Sequence, residues 1–384
     1  MTARTTADSA FRIASHPVAP PASDAQPLPA RAVRVLIVKR DKLGDLLLTT
    51  PVLAHLAARL PNAELHLLAN DYNAWVVRAH PALSRTWRYS RARDGGRLRI
   101  VAAVSQLPVL WQLRRQRFDW AIVMNGEESH RGIRRAIASG ASRVVAYAQT
   151  PSRYGPSLTD PLPPPTEGHE TTRMLALLGP LGLAQRQPTI DAPSFELPDD
   201  SRAFARTWLS SRGLRQRGYA VIGVGARRAK KQPTPAQVVR WARWFRDAHG
   251  LATVFMWTPG DAGNPAYPGD DSLAGEVVRE ALPYVHPFRG PIHEALGLIF
   301  EARTSVMPDS GLMHFAAASD GGVMGLFADP TDSAPASRWA PLGPRGRYVE
   351  AQRCVGELAD EVVFAAIEPL LEGEKAKSGV RDER

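Results

Sequence analysis

Three short segments hold the side chains best suited to chemistry, and each follows an apolar run. The first is Lys42-Leu43-Gly44-Asp45, after Val35-Leu36-Ile37-Val38. A loop at the C-terminal end of a parallel strand is where open α/β sheets build their sites. A glycine there permits close backbone approach, and Asp45 is placed to take a proton from a hydroxyl as a general base. Read alone, the carboxylate fits a helix cap better, since Asp caps helices well.

The second is Pro308-Asp309-Ser310-Gly311-Leu312-Met313-His314, leading into an alanine-rich helix. The N–H groups of Ser310, Gly311 and Leu312 would lie at the helix start, where the dipole favours an anion such as a diphosphate. His314, one turn in, would add a donor. The plainer reading is a cap by Asp309 or Ser310 with His314 on the helix surface. The third is Gly225-Ala226-Arg227-Arg228-Ala229-Lys230-Lys231-Gln232, a basic loop suited to phosphate oxygens. A solvated loop is the commoner outcome for such runs. Thr258, in Trp257-Thr258-Pro259-Gly260-Asp261, holds a similar post-strand position with a weaker signal.

The elements that must position these residues repeat a β-α-β pattern. Strands are expected at Arg34–Val38 and 63–68, with a helix over 46–60 between them. Further strands are expected at 120–124 and 144–147, and helices near 100–116, 130–139 and 169–178. Proline-dense stretches at 151–165 and 187–198 read as loops. The pattern restarts with a strand over 219–224, a helix over 234–249 and a strand over 252–257. The chain thus divides into a flexible tail (1–32), two Rossmann-like domains (33–195 and 196–350) and a C-terminal helix and tail (351–384). The last helix, 357–371, presents Leu358, Val362, Ala365, Ala366 and Leu370 on one face, placed to pack back across the domains.

Composition excludes more than it assigns. Forty-four per cent hydrophobic and 22% charged residues are ordinary for a soluble globular protein of 384 residues. No apolar run approaches the ~18 residues of a membrane span. The first 32 residues lack the apolar core of a secretory signal. One cysteine, Cys354, forbids an internal disulfide and suits a reducing cytoplasm. A net charge of +10 would suit nucleic acid, an anionic membrane or a phosphorylated substrate. Nucleic acid is the weakest of these, with no zinc-finger spacing and no dense basic block. Gly-x-Gly-x-x-Gly, Walker A, Gly-x-Ser-x-Gly, Asp-x-Asp and metal-ligand spacings are all missing, so a metal-independent reaction is favoured.

Taken in order, the segments resemble glycosyltransferase family 9, the heptosyltransferases, over about residues 34–371. VLIVKRDKLGD resembles the family's strand–SLGD start, and FDWAIVMNGEESHRG its D-x-x-I-D-L-Q-G stretch. His169 to Arg173 resembles its H-x-x-x-R helix. VIGVGARRAKKQPTPAQ resembles G-A-x-x-x-x-K-x-W-P, and MPDSGLMHFAAAS resembles N-D-T-G-x-M-H-L-A-A-A.

The resemblance implies an α/β chain of GT-B fold: an N-terminal acceptor domain and a C-terminal donor domain facing a central cleft. It implies inverting, metal-independent transfer of heptose from ADP-heptose to a lipid-linked lipopolysaccharide core acceptor, with the nucleotide sugar as co-substrate and no cofactor. It makes Asp45 the base and Lys230 the donor-phosphate lysine. Asp309, Ser310, Gly311, Leu312 and His314 become the donor segment, joined by Gly225 and Thr258. Acceptor contacts are expected from Gly44, Asn125, Arg131 and Arg134, with Arg91, Arg93 and Arg97 as further cations. Such an enzyme would work in the cytoplasm, in peripheral contact with the anionic inner membrane.

Four departures bear on specificity: Lys42 for serine, Gln232 for tryptophan, Ser310 for threonine, and Ala328-Asp329-Pro330-Thr331-Asp332 for Gly-Pro-Thr-Asp. A PAYPGDD insertion also follows Asp261. Two alternatives therefore stay open: a GT-B enzyme using another nucleotide sugar for O-antigen or capsule, and a non-catalytic nucleotide-sugar-binding protein.

Overall fold

The computed structural model describes residues 32–90, 106–184, 190–264, 268–331 and 335–372, with the backbone of 4–5, 93–94 and 97–98. The tail, Arg91, the side chains of Arg93 and Arg97, and Asp332 fall outside the described residues. The chain forms two compact units, one spanning 13–195 and one built from 196–384 with residues 1–12.

In the first unit the strands Arg34–Val38, Glu64–Asn70, Arg85–Tyr89, Trp120–Val123, Arg143–Tyr147 and Asp160–Leu162 form one parallel sheet. Numbered along the unit, they lie in the order 3-2-1-4-5-6. The order reverses between Arg34–Val38 and Trp120–Val123, with Val35 opposite Trp120 and Val38 opposite Val123. Val35, Leu36, Ile37 and Val38 are fully buried, as a central strand covered on both faces requires.

The second unit repeats the order with Tyr219–Gly223, Ala252–Met256, Val285–Phe288, Thr304–Pro308, Val323–Phe327 and Gly346–Glu350. Arg4–Thr5 adds an antiparallel pair at its edge. Here the switch lies between Tyr219–Gly223 and Thr304–Pro308. Trp241 and Phe245, from the helix Pro235–His249, and Phe255 fill the core beneath this sheet.

Three expectations need correction. The helix expected over 46–60 is two helices, Leu43–Leu47 and Thr50–Arg59. Pro51 has no N–H and its ring crowds the carbonyl four residues back, so the helix restarts with proline in its first turn. The Thr50 hydroxyl takes the Leu47 carbonyl instead, at 2.7 Å. The stretch 151–165 is not all loop, for Asp160–Leu162 forms the edge strand. The last helix, Asp360–Glu372, buries Val363, Ile367, Leu370 and Leu371 and exposes Ala365. Of the face expected, Leu358 and Leu370 are buried and Val362 and Ala366 pack against the core, while Ala365 faces solvent; the helix packs into the core of the second unit.

Candidate functional site

The first unit gathers polar side chains where its central strands end. Leu43–Leu47 is a helix, so Asp45 is its third residue and not part of the preceding loop. Its Oδ2 accepts from the Lys42 N–H at 3.0 Å. Asp45 thus caps from the N3 position, as the acidic half of a capping box with Lys42 at the N-cap, and the bond engages one oxygen. Gly44 is buried inside the same helix, its carbonyl accepting from the Leu48 N–H at 2.9 Å.

The chain leading to Asp45 is held from several sides. Asn70 Nδ2 donates to the Arg40 carbonyl at 2.7 Å, and Asn73 Nδ2 to the Asp41 carbonyl at 2.8 Å. Asn125 Nδ2 donates to the Asp41 carboxylate across the switch point. Lys39 is fully buried, with Nζ 3.3 Å from Asp41 Oδ2 and 3.8 Å from Glu170 Oε1. Glu170 in turn accepts from the Gly126 N–H at 2.8 Å. A Cβ on Gly126 would fall 2.3 Å from Glu170 Oε2, so any other residue there would displace Glu170 from this corner. Arg173 braces the same corner, donating to the carbonyls of Gly168 and Thr166, both at 2.9 Å.

Asn125 therefore joins the segment that leads to Asp45. Arg131 and Arg134 do not: both are exposed on the helix His130–Ala138. Arg134 lines a shallow cavity of about 400 Å³ with Arg114, Ile137, Ala138, Tyr154 and Ser157, none of which belongs to the Lys39–Asp45 segment.

The second unit has its own polar cluster at the equivalent edge. Lys231 forms an ion pair with Asp309 across the switch point. Lys230 Nζ donates to the Asp329 carbonyl at 3.0 Å. The Asp309 N–H is fixed by the Leu326 carbonyl at 2.9 Å. The helix Gly311–Ala317 begins after Ser310, whose side chain makes no capping bond. Leu312 is half-buried at its start. The alternative of a surface His314 is overturned: the ring is buried, its centroid 6.3 Å from that of Trp339. The helix lies against the sheet, and its second turn points inward with Met313 and Phe315.

Gly225 and Thr258 are brought together. A Cβ on Gly225 would lie 2.7 Å from Thr258 Oγ1. The organiser is Asp270, from the inserted PAYPGDD stretch. Its carboxylate accepts from the Thr258 N–H at 3.0 Å and from Gln232 Nε2, and its own N–H donates to the Thr258 carbonyl at 2.7 Å. Burial pushes the Asp270 pKa above the ordinary carboxylate value, against the pull of those hydrogen bonds. Asp271 anchors the rest of the turn, accepting from Trp257 Nε1 at 2.8 Å and the Gly260 N–H at 3.0 Å.

Sequence reasoning gave no role to Lys39, Asp41, Glu170, Asp270 or Asp271, and it placed Lys231 in the basic loop without its partner Asp309. An unusual charge next to an apolar strand was the available signal for Lys39. The others depend on partners far away in the chain.

A family model, glycosyltransferase family 9 (heptosyltransferase), matches residues 109–358. A search of curated proteins gives no match. Among solved structures, the family 9 glycosyltransferase of Veillonella parvula DSM 2008 is similar at a TM-score of 0.73 and 17% identity, covering 89% of this chain and 98% of that one. The E. coli ADP-heptose lipopolysaccharide heptosyltransferase II is similar at 0.68 and 19%, covering 89% and 100%. The E. coli heptosyltransferase WaaC with ADP is similar at 0.61 and 18%, covering 88% and 98%. At these identities the likeness is one of fold: two Rossmann-like α/β units, the GT-B architecture.

Proposed function

The chain belongs to glycosyltransferase family 9, the heptosyltransferases, and from that premise we propose that it transfers heptose from ADP-heptose to a lipopolysaccharide core acceptor. The reaction class follows from the family: this is a glycosyltransferase. The donor and acceptor are the proposal.

In this reading Asp45 removes the proton from an acceptor hydroxyl as that oxygen attacks the anomeric carbon. The bond to the diphosphate breaks on the opposite face, giving inversion, and the nucleoside diphosphate leaves with the bonding electrons. Charge building on it is met by Lys230 and by the N–H groups of Ser310, Gly311 and Leu312, an electrostatic contribution that usually dominates such steps. Gly225 and Thr258 border the nucleotide, and His314 backs the donor helix. Gly44 and Asn125 flank the acceptor, while Arg131 and Arg134 meet its anionic groups from further out. No metal is assigned a part. The enzyme works in the cytoplasm against the anionic face of the inner membrane, and among the described residues no helix is long and apolar enough to cross a membrane.

The observation that carries the reading is Asp45 itself. It is half-buried at the C-terminal edge of the first sheet, and its bond to the Lys42 N–H uses only Oδ2. Capping and proton transfer therefore draw on different oxygens.

The donor is tested by thermal stabilisation with ADP, UDP and GDP and their sugars. Ligand at a hundred times its dissociation constant should add ~2.7 kcal/mol. Stabilisation by ADP and ADP-heptose, followed by turnover with a core acceptor, is the expected result. One observation favours a different donor: Gln232 stands where the family has tryptophan and is tied to Asp270 of the inserted segment. A preference for UDP or GDP would replace ADP-heptose and keep the reaction class. Binding without turnover on any acceptor would favour the non-catalytic reading.

A further inference from the structure

Lys39 is a fully buried ammonium directly after a central strand, one turn of chain before the proposed base. Burying a lone charge costs several kcal/mol unless it is paired and hydrogen-bonded, so its neighbours show what it is for. Two are carboxylates, Asp41 at 3.3 Å and Glu170 at 3.8 Å. The third is Met174 Sδ, 3.8 Å from Nζ. Met174 also touches the Thr49 hydroxyl at 3.6 Å, and that hydroxyl donates to the Asp45 carbonyl at 3.2 Å.

The Asp41 carboxylate holds Asn125, just past the neighbouring strand Trp120–Val123, across the point where strand order reverses. Glu170 holds the Gly126 N–H beside it. Lys39 thus stands at the hub of two routes. One runs through Asp41 to the segment that leads into the Asp45 helix. The other runs through Met174 and Thr49 to the backbone of Asp45.

We infer that Lys39, with Glu170 as its counter-charge, is the positioning residue that fixes Asp45 for the reaction. An apolar side chain would fill the same space at less desolvation cost. It would leave Asp41 without its counter-charge, held by Asn125 alone, and let the segment 39–45 shift. A base displaced by about 1 Å loses on the order of a hundredfold in rate, although it keeps its chemistry. The inference rests on Asp45 being the base, so its test needs one arm independent of turnover.

That arm is hydrogen exchange in the full-length protein, comparing wild type with Lys39→Met. Amides of residues 40–48 should exchange about tenfold faster in the variant, with the second unit unchanged. Unaltered protection of this segment would overturn the inference. If Lys39→Met loses protection throughout the first unit, Glu170→Gln replaces it. That variant keeps the Asp41 pair and should show the same local pattern more weakly; no local change there is equally fatal.

The second arm is kinetic, with ADP-heptose as donor. Lys39→Met should lower kcat about a hundredfold and leave the donor KM within about twofold. In an Asp45→Asn background it should cost nothing further, because a positioning residue acts only through what it positions. An equal loss in both backgrounds would reduce Lys39 to a structural ion pair. Absence of wild-type turnover with ADP-heptose would count against the donor assignment, and the exchange arm would still decide this inference.

Discussion

Both units solve the same problem at the same place by different means. Each sheet reverses strand order beside its first strand, and each carries a polar bridge there. In the first unit the bridge is Asp41 to Asn125, with the ammonium of Lys39 buried behind it. In the second it is the Lys231–Asp309 ion pair, whose side chains keep 15% and 13% of their surface in solvent. Full burial suits a segment that must not move, because the cost of an unpaired charge locks every partner in place. Partial exposure suits a segment that must admit a charged ligand and let it go. The comparison assigns rigidity to the proposed base and adaptability to the proposed phosphate site.

The largest effect expected is on the base. Asp45→Asn keeps the side chain's shape and should lower kcat by ~10²–10⁴-fold, with ADP stabilisation intact, since the nucleotide is assigned to the other unit. Steady-state rates and thermal shifts on one preparation check both halves. Wild-type turnover in the variant would remove the functional difference between the two edges.

The adjacent lysines of the second unit sharpen the contrast. Lys230 donates to the Asp329 backbone carbonyl and is the one assigned to phosphate. Lys231 is committed to Asp309. Lys230→Met should weaken ADP binding about tenfold, the scale of one charge-assisted contact. Lys231→Met should act chiefly on stability, by stranding a half-buried carboxylate. Titration calorimetry and melting curves separate the two. The opposite ranking would exchange their roles.

What the sequence made legible has a physical pattern. Arg34–Val38, Trp120–Val123, Tyr219–Gly223 and Ala252–Met256 are central strands covered on both faces, and such strands read as continuous apolar runs. The edge strands Arg85–Tyr89, Asp160–Leu162 and Val285–Phe288 escaped notice, as did the interior strand Val323–Phe327. Edges tolerate arginine and proline, which erase the apolar signal, and these carry Arg85, Arg88, Pro161 and Pro287.

The candidate site divides in the same way. Asp45 and Asp309 stand just after apolar runs and could be found locally. Lys39 contacts a methionine 135 positions away, and Gln232 meets Asp270 at a separation of 38. Such pairs exist only once the topology has brought strand ends together. The inserted PAYPGDD stretch looked like a departure from the family pattern, and its two aspartates prove to organise the loop around Thr258.

The smallest effects separate the units by the sign of their response to pH. In the first unit His66 is buried, with its Nδ1 accepting from Trp87 Nε1 at 3.1 Å. Burial lowers its pKa, aided by Arg85 and Arg34 against Glu64. A lowered folded value means its contribution is present above the ordinary histidine pKa and is lost as pH falls through the folded one. Asp270, in the second unit, has the opposite sign. Its raised folded value means its contribution is complete below the ordinary carboxylate pKa and is lost as pH rises through the folded one.

His66→Asn keeps an acceptor for Trp87 and removes the titration, so its stability relative to wild type should improve as pH drops below about 6.5. Asp270→Asn should improve relative to wild type as pH rises above about 4. Melting temperatures of the three proteins from pH 4 to 8 check both. Parallel curves for either variant would show that the buried group keeps one protonation state throughout, leaving the ion pairs at the switch points as the remaining electrostatic difference between the two units.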